Sequence, residues 1–280
     1  MGNPVTSSPS IQTDRALKLL APLTDLVIKA GEAILAVSRR SLQVKGKADG
    51  SPVTEADLAA DRIISEGLAG IDPAIPVVSE ERAEQSRPPF SGSFFLIDPL
   101  DGTKEFIAGR GEFTVNLALV SEGVPLLGIV SAPAIGLLWR GVVERGAERL
   151  AIDGAAVVAA TSIRTRPLPI RGQPWNVAVS RSHGDPATET FIASRPSAIR
   201  RTMGSAVKFC RVAEGDADIY PRLSPTCEWD IAAGHAVLTA AGGRVTDSKG
   251  AEIRFGQGRP DFIVPEFIAW GDPTAIPLSR

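Results

Sequence analysis

Residues 94–106, Phe-Phe-Leu-Ile-Asp-Pro-Leu-Asp-Gly-Thr-Lys-Glu-Phe, constrain this chain more than any other segment. The four apolar residues 94–97 read as a strand whose C-terminal end delivers Asp98. Ligand sites in α/β layers lie at such ends. Pro99 stiffens the turn and has no N–H to give. Gly102 lets backbone come close to a ligand. From Thr103 the pattern reads as a helix start, whose free N–H groups favour a phosphate. Asp98 and Asp101, with the Leu100 carbonyl between them, can face one or two hard cations. A capped strand-to-helix turn explains either Asp taken singly; the six-residue segment 98–103 asks for more.

The scarce residues point the same way. The 280 residues include two His (His183, His235) and two Cys (Cys210, Cys227), against 32 Asp and Glu. A tetrahedral zinc site takes about four N/S ligands, and these four are scattered without ligand spacing. Iron–sulfur and disulfide frameworks are disfavoured on the same count. A metal that works here is expected to be hard and oxygen-ligated, such as Mg²⁺. Lys and Arg number 30, the formal net charge is −2, and no basic run dominates. That balance argues against a nucleic-acid polymer as partner. No stretch reaches the ~20 apolar residues of a membrane span, and the first residues lack the basic and apolar regions of a signal peptide. The expected location is the cytoplasm.

Apolar residues at 16, 19, 20, 23, 27, 30, 34 and 37 predict a long amphipathic helix within 11–40. Thr54 with Asp57 reads as a second helix start. Strands are predicted at 75–78, 94–97, 113–120, 126–130 and 136–143, giving a largely antiparallel sheet behind two helices, an α+β pattern. The proline-bearing stretch 161–174 reads as a boundary. Beyond it, strands at 176–179, 199–203 and 218–220 alternate with helices at 187–193, 205–213 and 230–241, an α/β pattern. The expectation is an α/β protein of two domains, 11–165 and 174–270.

The sequence at 98–107 followed by Gly-Glu-Phe-Thr-Val-Asn-Leu-Ala-Leu-Val at 111–120 resembles the lithium-sensitive, magnesium-dependent phosphatase superfamily that includes inositol monophosphatase. Val-Ser-Arg-Ser-His-Gly at 179–184, the run 204–222, and Cys-Glu-Trp-Asp-Ile-Ala-Ala-Gly-His-Ala-Val at 227–237 are similar to its 3′(2′),5′-bisphosphate nucleotidase branch. The resemblance runs from Lys47 to Asp247 in the family's order. It implies an alternating α/β/α/β/α sandwich with the site between domains. It implies two or more Mg²⁺ ions on Glu80, Asp98, the Leu100 carbonyl, Asp101 and Asp230, with Asp98 bridging. Glu81 competes with Glu80 for its place.

The resemblance also gives Asp57 and Thr103 the proton. The Thr103 hydroxyl would accept it from the attacking water while donating to Asp57; taken singly, the two are a helix N3 acid and a cap. Gly102, Thr103, His183, Ser205, Lys208, Arg222 and Asp230 are the implied substrate contacts. Lys47 is either a contact or a surface lysine. The implied reaction is hydrolysis of the 3′-phosphate of adenosine 3′,5′-bisphosphate to AMP and phosphate, with 3′-phosphoadenylyl sulfate as a second substrate. The partner is then a small nucleotide bisphosphate of sulfur metabolism. Two rivals stand: an inositol or sugar monophosphatase on the same metal core, and a nucleotide-binding sensor without catalysis. His235 and both Cys read as packing residues, and Trp229 as core or as a floor beneath the site.

Overall fold

The computed structural model describes residues 6–37, 44–46, 52–86, 88–181, 184–195 and 197–276. In the first half the main strands are largely buried on both faces over residues 93–132, where they read as near-continuous apolar runs, and are open to water by 156–162. They are β1 (Val77–Ser79), β2 (Ser93–Asp101), β3 (Thr114–Ser121), β4 (Val124–Ala132), β5 (Leu137–Val142), β6 (Gly146–Asp153) and β7 (Ala156–Ile163). They lie side by side in chain order as one seven-stranded sheet. Only β1 and β2 pair in parallel; the other neighbours are antiparallel.

A second sheet of five strands comprises β8 (Asn176–Ser180), β9 (Ile199–Met203), β10 (Ile219–Arg222), β11 (Arg244–Thr246) and β12 (Phe267–Trp270), in the order β9-β8-β10-β12-β11. The helices are α1 (Thr13–Ala36), α2 (Glu55–Ile71), α3 (Thr103–Ile107), α4 (Pro186–Ala193), α5 (Val207–Ala213) and α6 (Glu228–Ala240).

Side-chain alternation along the strands builds the layers. Phe95, Ile97, Leu117, Leu119 and Ile129 pack with α1 and α2 on one face of the large sheet. Phe94, Leu96, Ala118, Val120 and Trp139 join a second core with α5, α6 and the inner face of the small sheet. On the outer face, Val177, Val179, Ile219 and Trp270 pack with Ile192 of α4. The result is helix, sheet, helix, sheet, helix, the sandwich that the resemblance implied.

Helix α6 sits between the two sheets and buries every residue from Ile231 to Leu238. It therefore carries no amphipathic stripe. Small residues let it sit close. A Cβ at Gly128 of β4 would lie 2.2 Å from the Ala233 carbonyl, and one at Gly234 would lie 2.5 Å from the Phe209 ring.

Several elements differ from the sequence expectation. Helix α1 ends at Ala36; residues 38–43 lie outside the described set. Strand β2 does not stop at 97 but runs on through Asp101, with a register shift against β3 between Asp98 and Asp101. A bulge of this kind re-aims side chains, and here it sits under the two carboxylates. The β6–β7 hairpin was not expected, because β7 is exposed from Ala156 to Ser162 and shows no burial pattern to read. Strands β11 and β12 were also not expected. Helix α5 starts at Val207, not at 205, because Ser205 has φ +47°, outside the helical region.

Candidate active site

Thr54 and Asp57 form the capping box that the sequence suggested. The Thr54 N–H and hydroxyl donate to Asp57 Oδ2 at 2.8 and 2.6 Å, and Thr54 Oγ1 accepts the Ala56 N–H. Asp57 Oδ1 is thereby left to face another element. It accepts the Thr103 hydroxyl at 3.1 Å. The same hydroxyl lies 3.2 Å from the Leu100 carbonyl. Burial raises the Asp57 carboxyl above its ordinary value, and the Thr54 and Thr103 donors oppose the rise.

Glu80 begins the turn after β1, and α2 fixes that turn. Asp61 accepts the Ser79 hydroxyl at 2.5 Å and Arg82 Nε at 3.0 Å. Asp98 is enclosed at the β2 bulge, where its Oδ1 accepts the Leu100 N–H at 3.0 Å. Burial holds its carboxyl well above the ordinary range, and the nearby Glu80, Asp101 and Asp230 charges add to the rise. Asp98 also shares a hydrogen bond with Glu80.

Asp101 is pushed up to about 6 by burial and by Asp230, against the pull of Lys208 and the donors of Asn116 and Ala206. Asn116 Oδ1 is buried there without a hydrogen-bond partner. Gly102 adopts φ +89°, and a Cβ on it would lie 2.3 Å from Ser205 Oγ; only glycine makes this corner into α3.

The other wall comes from the second half of the chain. Asp230, in the first turn of α6, accepts the Cys227 N–H at 3.1 Å and the Thr226 hydroxyl through Oδ2. Ser205 Oγ lies 2.9 Å from both the Asp101 and the Glu112 carbonyls, so it clasps the two halves. Lys208 is buried, which pushes it down to about 8 although Asp101 pulls it up. Its Nζ donates to the Ser205 carbonyl at 2.6 Å and stands 5.1 Å from the Tyr220 ring centre. Arg222 donates to the Pro225 carbonyl at 3.0 Å and keeps a buried Nε without a partner.

Glu80, Asp98, Leu100, Asp101, Gly102, Thr103, Ser205, Lys208, Arg222 and Asp230 all line one cleft of about 240 Å³. Asp57 stands behind Thr103. Glu81 is not among the walls, whereas Pro52, Lys104, Ser180, Arg181 and Tyr220 are, and the sequence reading had not singled these out. Ser180 and Arg181 carried a signal, since they close β8 and open a loop at a strand's C-terminal end. Lys47 and His183 lie outside the described residues. His235 is buried 5.6 Å from the Phe255 ring, away from the cleft walls. Cys210 is a buried free thiol, Cys227 is half-buried, and Trp229 packs on Phe262 at 5.6 Å.

The donor set suits a hard cation in kind. Four carboxylates and one carbonyl share the cleft, and Asp98 feels three other carboxylates as unrelieved like charge. Among the described residues no three His, Cys, Asp or Glu side chains already stand as a finished coordination shell. The carboxylates must draw together around any ion they hold.

Comparisons with known proteins show the family. The sequence profile of the inositol monophosphatase family matches residues 17–270. The chain is 40% identical over 258 residues to a 3′(2′),5′-bisphosphate nucleotidase CysQ of Escherichia coli, covering 89% of this chain and 98% of that one. A CysQ of Buchnera aphidicola is 35% identical over 256 residues, covering 90% and 93%. Among solved structures, CysQ from Bacteroides thetaiotaomicron superposes with a TM-score of 0.72 at 35% identity, over 90% of this chain and 97% of that one. An IMPase of Thermotoga maritima reaches a TM-score of 0.71 at 26% identity, over 91% and 92%.

Proposed function

Since the chain belongs to the inositol monophosphatase family, a family of metal-dependent phosphatases, we propose that it is a 3′(2′),5′-bisphosphate nucleotidase. Its reaction is adenosine 3′,5′-bisphosphate plus water to AMP plus phosphate, with 3′-phosphoadenylyl sulfate as a second substrate. The observation that carries this reading is a single cleft with two unlike walls. Glu80, Asp98 and Asp101 make one wall acidic, and the buried Lys208 with the half-buried Arg222 makes the other, which also carries Asp230, basic. A substrate with two phosphates needs both.

The residues divide the work. Glu80, Asp98, the Leu100 carbonyl, Asp101 and Asp230 would hold two or more Mg²⁺ ions. Bound Mg²⁺ supplies a lowered water pKa and charge neutralisation for the phosphoryl group. Thr103 donates to Asp57 Oδ1, which orients its oxygen to take the proton of the attacking water. The left-handed Gly102 opens α3, whose first turn would present its N-terminal end to phosphate oxygens. Ser205, Lys208, Arg222 and His183 serve the nucleotide side. The acidic set belongs mainly to a unit spanning 11–165; the nucleotide set and Asp230 belong to one spanning 174–270. A cytoplasmic location completes the reading; no helix of the described residues is long and apolar enough to cross a membrane.

The test is phosphate release with saturating Mg²⁺ from adenosine 3′,5′-bisphosphate, 3′-phosphoadenylyl sulfate, inositol phosphate and fructose bisphosphate. The bisphosphate nucleotide is expected to have the highest kcat/KM. Faster turnover of inositol phosphate would overturn the substrate. Tight nucleotide binding with no phosphate released would overturn the enzyme.

A further inference from the structure

Glu112 lies in the loop between α3 and β3, on the acidic side of the cleft but not among its lining residues. Its carboxylate accepts Arg181 in a bidentate fork. Arg181 Nε reaches Oε2 at 3.1 Å, and Nη2 reaches Oε1 at 2.8 Å and Oε2 at 2.9 Å. Oε2 also accepts the Gly204 N–H at 2.9 Å. The Glu112 carbonyl lies 2.9 Å from the Ser205 hydroxyl, and a Cβ at Gly204 would lie 2.6 Å from that same carbonyl. One residue of the first half thus grips two segments of the second half, the loop after β8 and the turn before α5. Arg181, Gly204, Ser205 and Lys208 are all cleft walls.

Stability alone is a poor reason for this arrangement. The paired side chains are 38% and 33% exposed, and ion pairs that open to water contribute little. What a bidentate fork supplies is fixed geometry. A monophosphate of a small alcohol could be held by the ions that the acidic wall would carry. A nucleotide bisphosphate must meet both walls at one spacing. We infer that Glu112 is a positioning residue for the phosphate that is not cleaved, acting through Arg181 and Gly204 to set the nucleotide wall against the acidic wall. The inference rests on the bisphosphate nucleotidase reading.

Steady-state kinetics with Mg²⁺ test it, using adenosine 3′,5′-bisphosphate and p-nitrophenyl phosphate. Glu112→Gln is expected to raise KM for the bisphosphate about tenfold while kcat changes less than about threefold, the pattern of lost uniform binding. KM for the small ester should rise far less. Arg181→Ala should raise the bisphosphate KM similarly, and the double variant should do no worse than the worse single one, because the two residues act as one device.

A fall in kcat at unchanged KM, additive single effects, or an equal KM rise for the small ester would overturn the inference. If Glu112→Gln does not fold, Arg181→Ala decides alone, and an unmoved KM refutes it. Wild-type protein that cleaves the ester but not the bisphosphate would instead sink the nucleotidase reading, and the inference with it.

Discussion

Asp57 does two jobs with two oxygens. Oδ2 closes the first turn of α2 and Oδ1 takes the Thr103 hydroxyl. The jobs separate in a variant. Asp57→Asn is expected to lower kcat by about 10²- to 10⁴-fold, the usual range for general acid–base catalysis. Stability should fall by only about 1 kcal/mol, the scale of a helix cap. Phosphate release and urea unfolding measure the two, and an unchanged kcat would take the pair out of the chemistry. His235 gives a second test, free of the cleft. Burial, helped by the Arg244 charge, pushes it down to about 4. Its folded pKa is then below the ordinary ~6.5, so the unfolded chain binds the extra proton. The stability this contributes is full above pH ~6.5 and is lost as pH falls through about 4, roughly 3 kcal/mol in all. Urea unfolding from pH 7 to 4 should show a steeper loss for wild type than for His235→Gln; parallel curves would refute it. Residues 54, 57, 98–103 and 230 were readable in sequence because each belongs to a short local pattern. Glu112 and Arg181 were not read as a pair, because they are 69 positions apart and neither marks the other.

At the scale of elements, the segment from β2 through Gly102 to α3 is the most tightly specified. Gly102→Ala would force a side chain to φ +89° and into Ser205 Oγ. The expected cost is about 1–3 kcal/mol of stability, with a large loss of phosphate release because Asp101 and Thr103 flank the corner. A variant with wild-type Tm and turnover would contradict this. Periodicity made α1 and α2 legible because each has one wet face. It could not speak for α6, dry along 231–238, which the sequence reading began at Asp230, two residues after its start at Glu228. The β6–β7 hairpin escaped for the opposite reason, since β7 has no dry face until Ile163. The bulge in β2 was invisible as well. It is a property of pairing with β3, and the apolar run and the Asp-Pro-Leu-Asp motif looked like separate strand and turn.

At the scale of the molecule, the sandwich gathers like charge in one place. Glu80 follows β1, Asp98 and Asp101 lie on β2, and Asp230 lies on α6, so an ion held by them would bridge layers. Folding without the ion must bear the repulsion felt by Asp98. Thermal unfolding should therefore respond to Mg²⁺: a concentration a hundred times Kd adds about 2.7 kcal/mol. Asp98→Asn should melt above wild type in chelator, fail to gain from Mg²⁺, and lose turnover. If it melts below wild type in chelator, the cluster is not the source of strain.

The outermost strand of the large sheet has a consequence for how the protein is handled. From Ala156 to Ser162, β7 shows water seven consecutive uncharged residues, and its outer edge pairs with no other strand among the described residues. Natural edges are usually blunted with lysine, proline or a covering loop. In concentrated solution this ribbon is the surface on which colloidal clustering should begin. Val158→Lys, at the most exposed valine of the strand, is expected to lower light scattering at high concentration while leaving turnover intact. The practical ceiling on the protein's solubility would then be set far from the cleft, by a stretch that takes no part in its chemistry.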